Sequence, residues 1–283
     1  MPRMSRPTST MSKRTRWYAV VAALVLAASV ELWAVSTTDL YAYWAFDTSP
    51  GIAEDSHSGN RDLTNGSGIG TTTGKLNEAA NMDAGNLAFT RADEAAADFT
   101  TAFSVSCWIR GNGGIAVTSV IMSKWTYSSQ GGWTVAIDGT DDLAFWVADS
   151  LTDGGSNNGV TTTASLVGDT WYHVVWVYDG GGSTNADRAK IYLNNSNMTL
   201  TFTGTIASSL QNNTADMVVG RWPGLDRYWV GRIDECGVWS RALSSGDVSD
   251  LYNSGNALAY SSFSGGGGGG TPKLLLLLGV GGN

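Results

Sequence analysis

Short apolar runs, separated by segments rich in Gly, Asn, Asp and Ser, are the feature that most constrains the fold of this chain. Apolar and polar residues alternate within several runs, as in half-buried strands, and the residues between the runs are those that favour tight turns. Long helical periodicities are missing. The pattern predicts an all-β protein, an antiparallel two-sheet β-sandwich of about eleven strands. The runs are 40–46, 86–90, 103–109, 119–125, 133–137, 143–148, 171–179, 189–195, 200–205, 217–222 and the run that begins at Gly231.

Composition agrees with one large folded domain. Hydrophobic residues make up 42% of the 283 residues and charged residues only 15%, which is not the composition of a disordered chain. Residues 40–258 are numerous enough to bury a sandwich core. We therefore predict three parts, namely a leader (1–36), the sandwich domain (40–258) and a Gly-rich linker with a short apolar tail (259–283).

The N-terminus has the features of an export signal. A basic start precedes the apolar stretch Trp17–Val30, which is shorter than the about 20 residues that span a bilayer as a helix. Small residues at Ala27 and Ser29, or at Ala34 and Ser36, are plausible cleavage sites. The alternative is an uncleaved helix that anchors the chain in a membrane. Both interpretations predict that the domain is secreted or exposed at the cell surface.

Charge restricts the class of partner. From Ser36 onward the chain has 24 acidic and 12 basic residues. Such a surface repels the phosphates of nucleic acids and anionic lipid headgroups, and it attracts cations. We therefore predict no nucleic-acid partner, and contact with a membrane only through an uncleaved leader.

The two cysteines, Cys107 and Cys236, both lie within predicted strands. An exported protein can form a disulfide between them if the two strands are neighbours. The alternative is a pair of buried free thiols that pack as small apolar residues. No C-x-x-C motif is present and the chain has only two histidines, so a cysteine metal or redox site is not indicated.

Six short motifs, in a fixed order, resemble the laminin-G-like jellyroll domains of the concanavalin A-like lectin/glucanase superfamily over about residues 40 to 258. The closing motif, IDECGVWSRALS, leads into a short helix for which Ser244 and Ser245 are candidate N-caps. The resemblance implies two antiparallel sheets in which Tyr43–Phe46 lies beside Ile233–Trp239. The six motifs are 42–47, 55–60, 74–80, 103–109, 171–179 and 191–194, and the closing motif follows them in the run from Gly231.

Calcium is the cofactor that the acidic turns favour, because hard cations bind several carboxylate and carbonyl oxygens. Some members of the family that the chain resembles bind one such ion. Asp47, at the end of the first strand, and Asp234, on its expected partner, are candidate ligands together with Asp55. The alternative is that these carboxylates cap turns.

A catalytic role is not indicated. Hydrolases of the superfamily use two carboxylates that flank one glycosidic bond, and the E-x-D-x-E type of pattern that presents them is missing here. Strand alternation predicts that Asp234 and Glu235 point to opposite faces of the sheet. His173 alternates with Val175 and Val177, which predicts a core position. We therefore expect a binding module rather than an enzyme.

Aromatic residues in two loops are the candidate ligand-binding residues, because flat rings can stack on sugar faces and nearby polar groups can bind hydroxyls. Trp133 and Trp229 lie in or beside strands and are expected in the core. The predicted ligand is a glycan or cell-surface glycoconjugate. The alternatives are a structural or adhesive surface protein, such as a virion protein, and a glycan hydrolase. The candidates are Trp125, Tyr127, Arg221, Trp222, Asp226 and Arg227.

The C-terminal tail combines a run of glycines, Gly265–Gly270, with the apolar segment Leu274–Val280. The glycines predict a flexible spacer, and the apolar segment is too short to span a bilayer. We expect the segment to bind a protein partner or to mediate self-assembly. The alternative is that it folds back on its own domain.

Overall fold

A computed structural model describes residues 35–113, 118–126, 131–148, 158–161 and 164–265. Most of the predicted leader helix and the apolar tail lie outside these residues, as does Tyr127. The fold is the expected all-β jellyroll sandwich, with two antiparallel sheets. The strands are β1 Leu40–Trp44, β2 Gly70–Thr73, β3 Glu78–Asn81, β4 Phe89–Arg91, β5 Ala102–Gly111, β6 Ser119–Thr126, β7 Gly131–Ile137, β8 Leu143–Ala148, β9 Asn158–Thr161, β10 Tyr172–Asp179, β11 Ala189–Leu193, β12 Ser196–Asn197, β13 Leu200–Thr203, β14 Met217–Val219 and β15 Gly231–Trp239, and the α-helices are α1 Asn185–Arg188 and α2 Ser245–Tyr252.

The strands divide between an eight-stranded and a seven-stranded sheet. The first has the order β12-β11-β10-β5-β15-β3-β2, with β1 paired to β15, and the second has the order β13-β9-β8-β7-β6-β14-β4. Neighbours in each sheet are often far apart in the sequence, as in a jellyroll. All the runs predicted from the sequence contain a strand. Four further strands, β2, β3, β9 and β12, are short and rich in Thr, Ala, Gly or Asn, and they lack the apolar alternation that marks the others.

The first and last strands pair as the family resemblance implied. Strand β1 is antiparallel to β15, with Ala42 opposite Val238, Tyr43 opposite Gly237 and Trp44 opposite Cys236. Gly237 permits this close approach, because a Cβ atom at that position would lie 2.5 Å from the ring of Trp239 and 2.9 Å from that of Tyr43. The expected closure of the sandwich is confirmed.

The core lies between the sheets and follows from strand alternation. On β8, Leu143, Phe145 and Val147 are fully buried in this core, whereas Trp146 points to the outer side of the seven-stranded sheet and is partly exposed. Trp133 and Trp229 belong to the same core, as predicted. Its aromatic content gives it a large apolar area to bury, which is the main favourable contribution to folding.

A second apolar cluster covers the outer face of the eight-stranded sheet. It contains Val35, Tyr43 and Trp239, and also Phe263 from the C-terminal segment. The two ends of the described chain meet here, because the Thr37 amide donates to the Ser264 carbonyl at 3.0 Å and the Ser264 amide donates to the Val35 carbonyl at 3.0 Å. The folded unit therefore includes residues on both sides of the 40–258 interval.

Helix α2 also packs on this face, through Val248 and Leu251. Its N-cap is Ser244, one of the two predicted candidates. The Ser244 side chain accepts a hydrogen bond from the Asp247 amide, and the Asp247 carboxylate accepts one from the Ser244 amide, which is a capping box. No α-helix among the described residues is both long and apolar enough to cross a bilayer.

His173 is buried on the same side of the eight-stranded sheet, as predicted for a core residue. Its Nε2 lies 2.9 Å from the Ser106 hydroxyl, and its ring stacks on Tyr252. Burial lowers the pKa of His173 to about 3, so the ring is neutral at physiological pH.

The two cysteines form a disulfide. Strands β5 and β15 are neighbours, and the Cα atoms of Cys107 and Cys236 are 4.3 Å apart. The bridge links residues separated by 129 positions, so it removes a large amount of conformational entropy from the unfolded chain. The alternative of two free thiols does not hold in this structure.

We predict that replacing both cysteines, Cys107→Ala with Cys236→Ala, lowers the free energy of unfolding by about 3 to 5 kcal/mol. Urea denaturation of the oxidised wild type and of the double variant measures this loss. Intact mass after alkylation provides the control. The native protein should take up alkylating reagent only after reduction, and labelling of both thiols without reduction would contradict the bridge.

Candidate functional site

Three tryptophans form a cluster on the outer face of the seven-stranded sheet, and we call Trp125, Trp146 and Trp222 the tryptophan patch. Trp222 packs against Trp146 with ring centroids 5.5 Å apart, and against Trp125 at 5.8 Å with the rings nearly perpendicular. Trp125 is buried, whereas Trp146 and Trp222 are partly exposed. The patch therefore presents two indole rings to solvent, supported by a third.

A tight hairpin after β14 positions Trp222. The Trp229 amide donates to the Gly220 carbonyl at 2.9 Å, and the Trp222 amide donates to the Arg227 carbonyl at 3.2 Å. Gly220 has a φ of +90°, and a Cβ atom there would lie 2.1 Å from Cε of Met82, so only glycine fits. The hairpin is anchored to the sheet because the Ser123 hydroxyl donates to the Arg221 carbonyl at 3.1 Å.

Several polar atoms at the patch are buried and have no hydrogen-bond partner. They are Nε1 of Trp222, Nε of Arg221 and the Thr134 hydroxyl. Thr134 lies directly opposite Trp146 in the β7–β8 pairing, and opposite Ser123 in the β6–β7 pairing. All three atoms are closed to solvent, so a ligand that contacts the exposed ring surfaces does not reach them in this arrangement.

The structure brings together some of the predicted binding residues. Trp125 and Trp222 meet at the patch, with Trp125 supporting Trp222 rather than offering a free ring face. Arg221 precedes Trp222 in the hairpin and pairs with Tyr228 on its other strand. Asp226 and Arg227 are exposed near the tip of the same hairpin. Tyr127 lies outside the described residues. Trp146 was not among the predicted ligand-binding residues, although its projection away from the core was visible in the alternation of β8.

The three predicted calcium ligands stabilise turns by accepting hydrogen bonds from backbone amides. The Asp55 carboxylate accepts hydrogen bonds from the amides of Tyr43, His57 and Arg61. The other two bind amides at the β2–β3 turn. Asp47 accepts a hydrogen bond from the Glu78 amide at 3.0 Å, and Asp234 accepts hydrogen bonds from the Lys75 and Leu76 amides at 2.7 and 3.0 Å.

Each of these three carboxylates accepts hydrogen bonds from backbone amides. Across the described part of the chain, no three carboxylate, histidine or cysteine side chains lie together in a group that could hold a metal ion. The sequence alternative, that these carboxylates cap turns, describes the contacts that Asp47, Asp55 and Asp234 make. Calcium binding stays a prediction from the sequence.

Strand alternation gave the wrong arrangement for Asp234 and Glu235. A β-bulge interrupts β15 here: the register with β5 shifts between Asp234 and Gly237, and Glu235 has a φ of +48°. Ile233 and Cys236 both belong to the core between the sheets. The two residues between them, Asp234 and Glu235, therefore do not alternate between the two faces of the sheet. Burial raises the pKa of the Tyr43 hydroxyl, and the charges of Glu235 and Asp234 add to the effect. This hydroxyl donates a hydrogen bond to Glu235.

Burial dominates the chemistry of this acidic pair. Desolvation raises the pKa of Asp234 to about 8, and the nearby charge of Glu235 adds to the effect. Desolvation likewise raises the pKa of Glu235 to about 8. Asp234 is fully buried and Glu235 is 5% exposed, beneath a layer in which Tyr43 packs against Tyr260 and Phe263. The pair is therefore closed to a polysaccharide.

Comparison with known proteins agrees with the fold. The family model described as "Concanavalin A-like lectin/glucanases superfamily", of the laminin-G type, matches residues 83–249, which is more than half of the chain. This chain belongs to that superfamily. No curated protein matches the chain significantly by sequence.

Solved structures similar to this superfamily member include toxin binding domains and a domain of an arabinanase. Domain 4 of AbnA, an extracellular arabinanase from Geobacillus stearothermophilus solved in complex with arabinotriose, is 21% identical with a TM-score of 0.55, over 78% of this chain and 98% of that one. The botulinum neurotoxin serotype D ligand-binding domain, solved with N-acetylneuraminic acid, is 13% identical with a TM-score of 0.60, over 77% and 51%.

The binding domain of Paraclostridial Mosquitocidal Protein 1 is 14% identical with a TM-score of 0.60, over 77% of this chain and 52% of that one. The chain thus spans about half the length of the toxin binding domains that it matches. At these identities the likeness shows the shared sandwich fold.

The acidic pair generates a prediction about pH. A carboxyl group whose pKa is raised in the folded state contributes most to stability below its unfolded pKa of about 4, and this contribution is lost as the pH rises towards 8. We expect the free energy of unfolding, measured by urea denaturation, to fall between pH 5 and pH 9. Glu235→Gln cannot ionise and should reduce this fall.

Glu54→Gln, at an exposed carboxylate, is the matched control and should leave the pH dependence unchanged. If the free energy of unfolding changes equally with pH in the wild type and in Glu235→Gln, then Glu235 is ionised in the folded protein between pH 5 and pH 9.

Proposed function

We propose that this chain is an exported, non-catalytic carbohydrate-binding module that holds saccharides on the tryptophan patch. The observation that carries the proposal is the pair of partly exposed rings, Trp146 and Trp222, which pack against each other on the outer face of the seven-stranded sheet. A pyranose or furanose ring has an apolar face that stacks on an indole.

The arrangement supports binding rather than hydrolysis. Retaining and inverting glycosidases place two carboxyl groups on either side of an accessible glycosidic bond. The acidic pair of this protein, Asp234 and Glu235, is buried on the opposite side of the sandwich from the patch. Asp226 is the carboxylate of the hairpin that carries Trp222, and it is exposed to solvent.

The placement of the chain ends supports display at a surface. The chain enters the sandwich at Val35 and leaves it at Ser264 on the outer face of the eight-stranded sheet, whereas the patch lies on the outer face of the other sheet. The described chain therefore begins and ends on the face of the sandwich opposite to the tryptophan patch.

We predict that Trp222→Ala weakens saccharide binding about 30-fold, because loss of a central aromatic contact typically costs about 2 kcal/mol or more. Trp146→Ala should weaken it in the same direction. A glycan array identifies the bound saccharides, and calorimetric titration then measures the affinities, in calcium and in a chelator. A loss of binding in chelator would support the predicted calcium dependence.

Tyr260→Ala is the matched control, since it removes another partly buried aromatic ring from the outer face of the eight-stranded sheet. It should leave binding unchanged. Circular dichroism and thermal melting verify that each variant is folded. Undiminished binding by a folded Trp222→Ala variant would remove the patch as the binding surface.

A further inference from the structure

Lys124 is a buried lysine whose charge is surrounded by oxygen atoms. Among the lysines that the structure describes, it alone is buried, with 2% of its surface exposed. Its Nζ lies 2.8 Å from a carboxylate oxygen of Asp93 and 3.2 Å from one of Asp98. The backbone carbonyl oxygen and the side-chain Oδ1 of Asn213 lie 2.7 and 3.4 Å from the same nitrogen. We call these four residues the lysine site.

The lysine site joins segments that are distant in the sequence. Lys124 lies near the end of β6, the two aspartates follow β4, and Asn213 precedes β14. The side-chain amide of Asn213 also donates a hydrogen bond to the Gly131 carbonyl at 3.2 Å, at the start of β7. One ammonium group therefore holds together the connections of four strands at one end of the seven-stranded sheet.

The oxygen atoms of the lysine site are those that a hard cation binds. Calcium takes about six to eight oxygen ligands from carboxylates, backbone carbonyls, side-chain amides and water. The lysine site offers two carboxylates, one backbone carbonyl and one side-chain amide around a single point. The cation at that point is the side chain of the protein itself.

The charges at this point favour a cation. The ammonium of Lys124 supplies one positive charge, and Asp93 and Asp98 supply two negative charges. Without Lys124 the two carboxylates would share one site with no cation between them, which is costly where water is largely excluded. The Asp93 side chain keeps 29% of its surface exposed, so an ion and its water ligands can enter from that side.

We infer that the lysine site is a cation site with a built-in cation: Lys124 orders the connecting segments in place of a bound metal ion, and calcium can take over this position when the lysine side chain is removed. The inference does not rest on the proposed function. The lysine site shares no residue with the predicted calcium ligands Asp47, Asp55 and Asp234. This end of the wild-type sandwich therefore folds without a metal ion at the lysine site.

Lys124→Ala tests this inference on the full chain, through melting temperatures measured in chelator and in millimolar calcium. In chelator, the variant should melt about 5 °C or more below the wild type, because its two carboxylates lack a cation. Calcium should restore at least about half of this loss, since an ion that binds only the folded state stabilises it. Calcium should raise the melting temperature of the wild type by less.

Terbium, which replaces calcium at oxygen sites, gives a second measurement. Trp133 lines the same small cavity as Lys124 and Asn213, so excitation of tryptophan should sensitise the luminescence of a terbium ion bound there. Lys124→Ala should bind one terbium ion more than the wild type does. Equal terbium binding by the two proteins would overturn the inference.

Lys124→Met is the matched control, because methionine fills much of the same space without a charge and leaves no room for an ion. It should lose stability as Lys124→Ala does and recover none of it in calcium. Lys190→Ala removes a lysine that donates to the Asp187 carbonyl at 2.7 Å at the surface. It should change neither the melting temperature nor the response to calcium.

The remaining outcomes also decide the inference. A Lys124→Ala variant that folds only in calcium would support it. A Lys124→Ala variant that is as stable as the wild type in chelator, or that is equally unfolded in chelator and in calcium, would overturn it. An equal calcium response in Lys124→Ala and Lys124→Met would overturn it as well, because the ion would then bind elsewhere.

Discussion

The pairing of β1 with β15 is the contact on which the rest of the structure depends. It joins segments that are almost 200 residues apart, so its formation is opposed by a large loop-closure entropy. The Cys107–Cys236 disulfide reduces this entropy cost, because it links β15 covalently to its other neighbour, β5. Once β15 is held between β1 and β5, the hairpin that precedes it is fixed over the seven-stranded sheet, and Trp222 is brought against Trp146.

Strand alternation places aromatic side chains on both outer faces of the sandwich, but the two faces differ in how far these side chains are covered. On the eight-stranded sheet, Tyr43 and Trp239 point outward and are covered by the chain ends and by α2, which gives a second apolar cluster. On the seven-stranded sheet, Trp146 and Trp222 keep part of their surface in contact with solvent. A face that keeps aromatic rings available is suited to recognition, and a face that is covered by other parts of the chain is suited to support.

Sequence patterns predicted the long strands and the N-cap of α2, because each of these depends on local alternation or on a capping residue. The closure of the sandwich was implied by the resemblance to laminin-G-like domains. The bulge at Glu235 could not be predicted, since it arises from a shift in register against β5 that only the paired strand reveals. Strands such as β2, with the sequence GTTT, carry too little apolar surface to be recognised. For the site, the loop residue Trp222 was identified, but its packing against Trp146 is a tertiary contact that the local pattern does not reveal.

The central claim is that saccharides bind to the tryptophan patch, and the indole N–H signals in a ¹H–¹⁵N spectrum test it most directly. Titration of the wild type with the tightest-binding saccharide should shift the signals of Trp222 and Trp146. The signals of Trp44 and Trp176, whose indoles donate to the carbonyls of Arg61 and Ala144 at 2.9 and 3.1 Å, should stay in place. Binding that shifts neither Trp222 nor Trp146 would contradict the account.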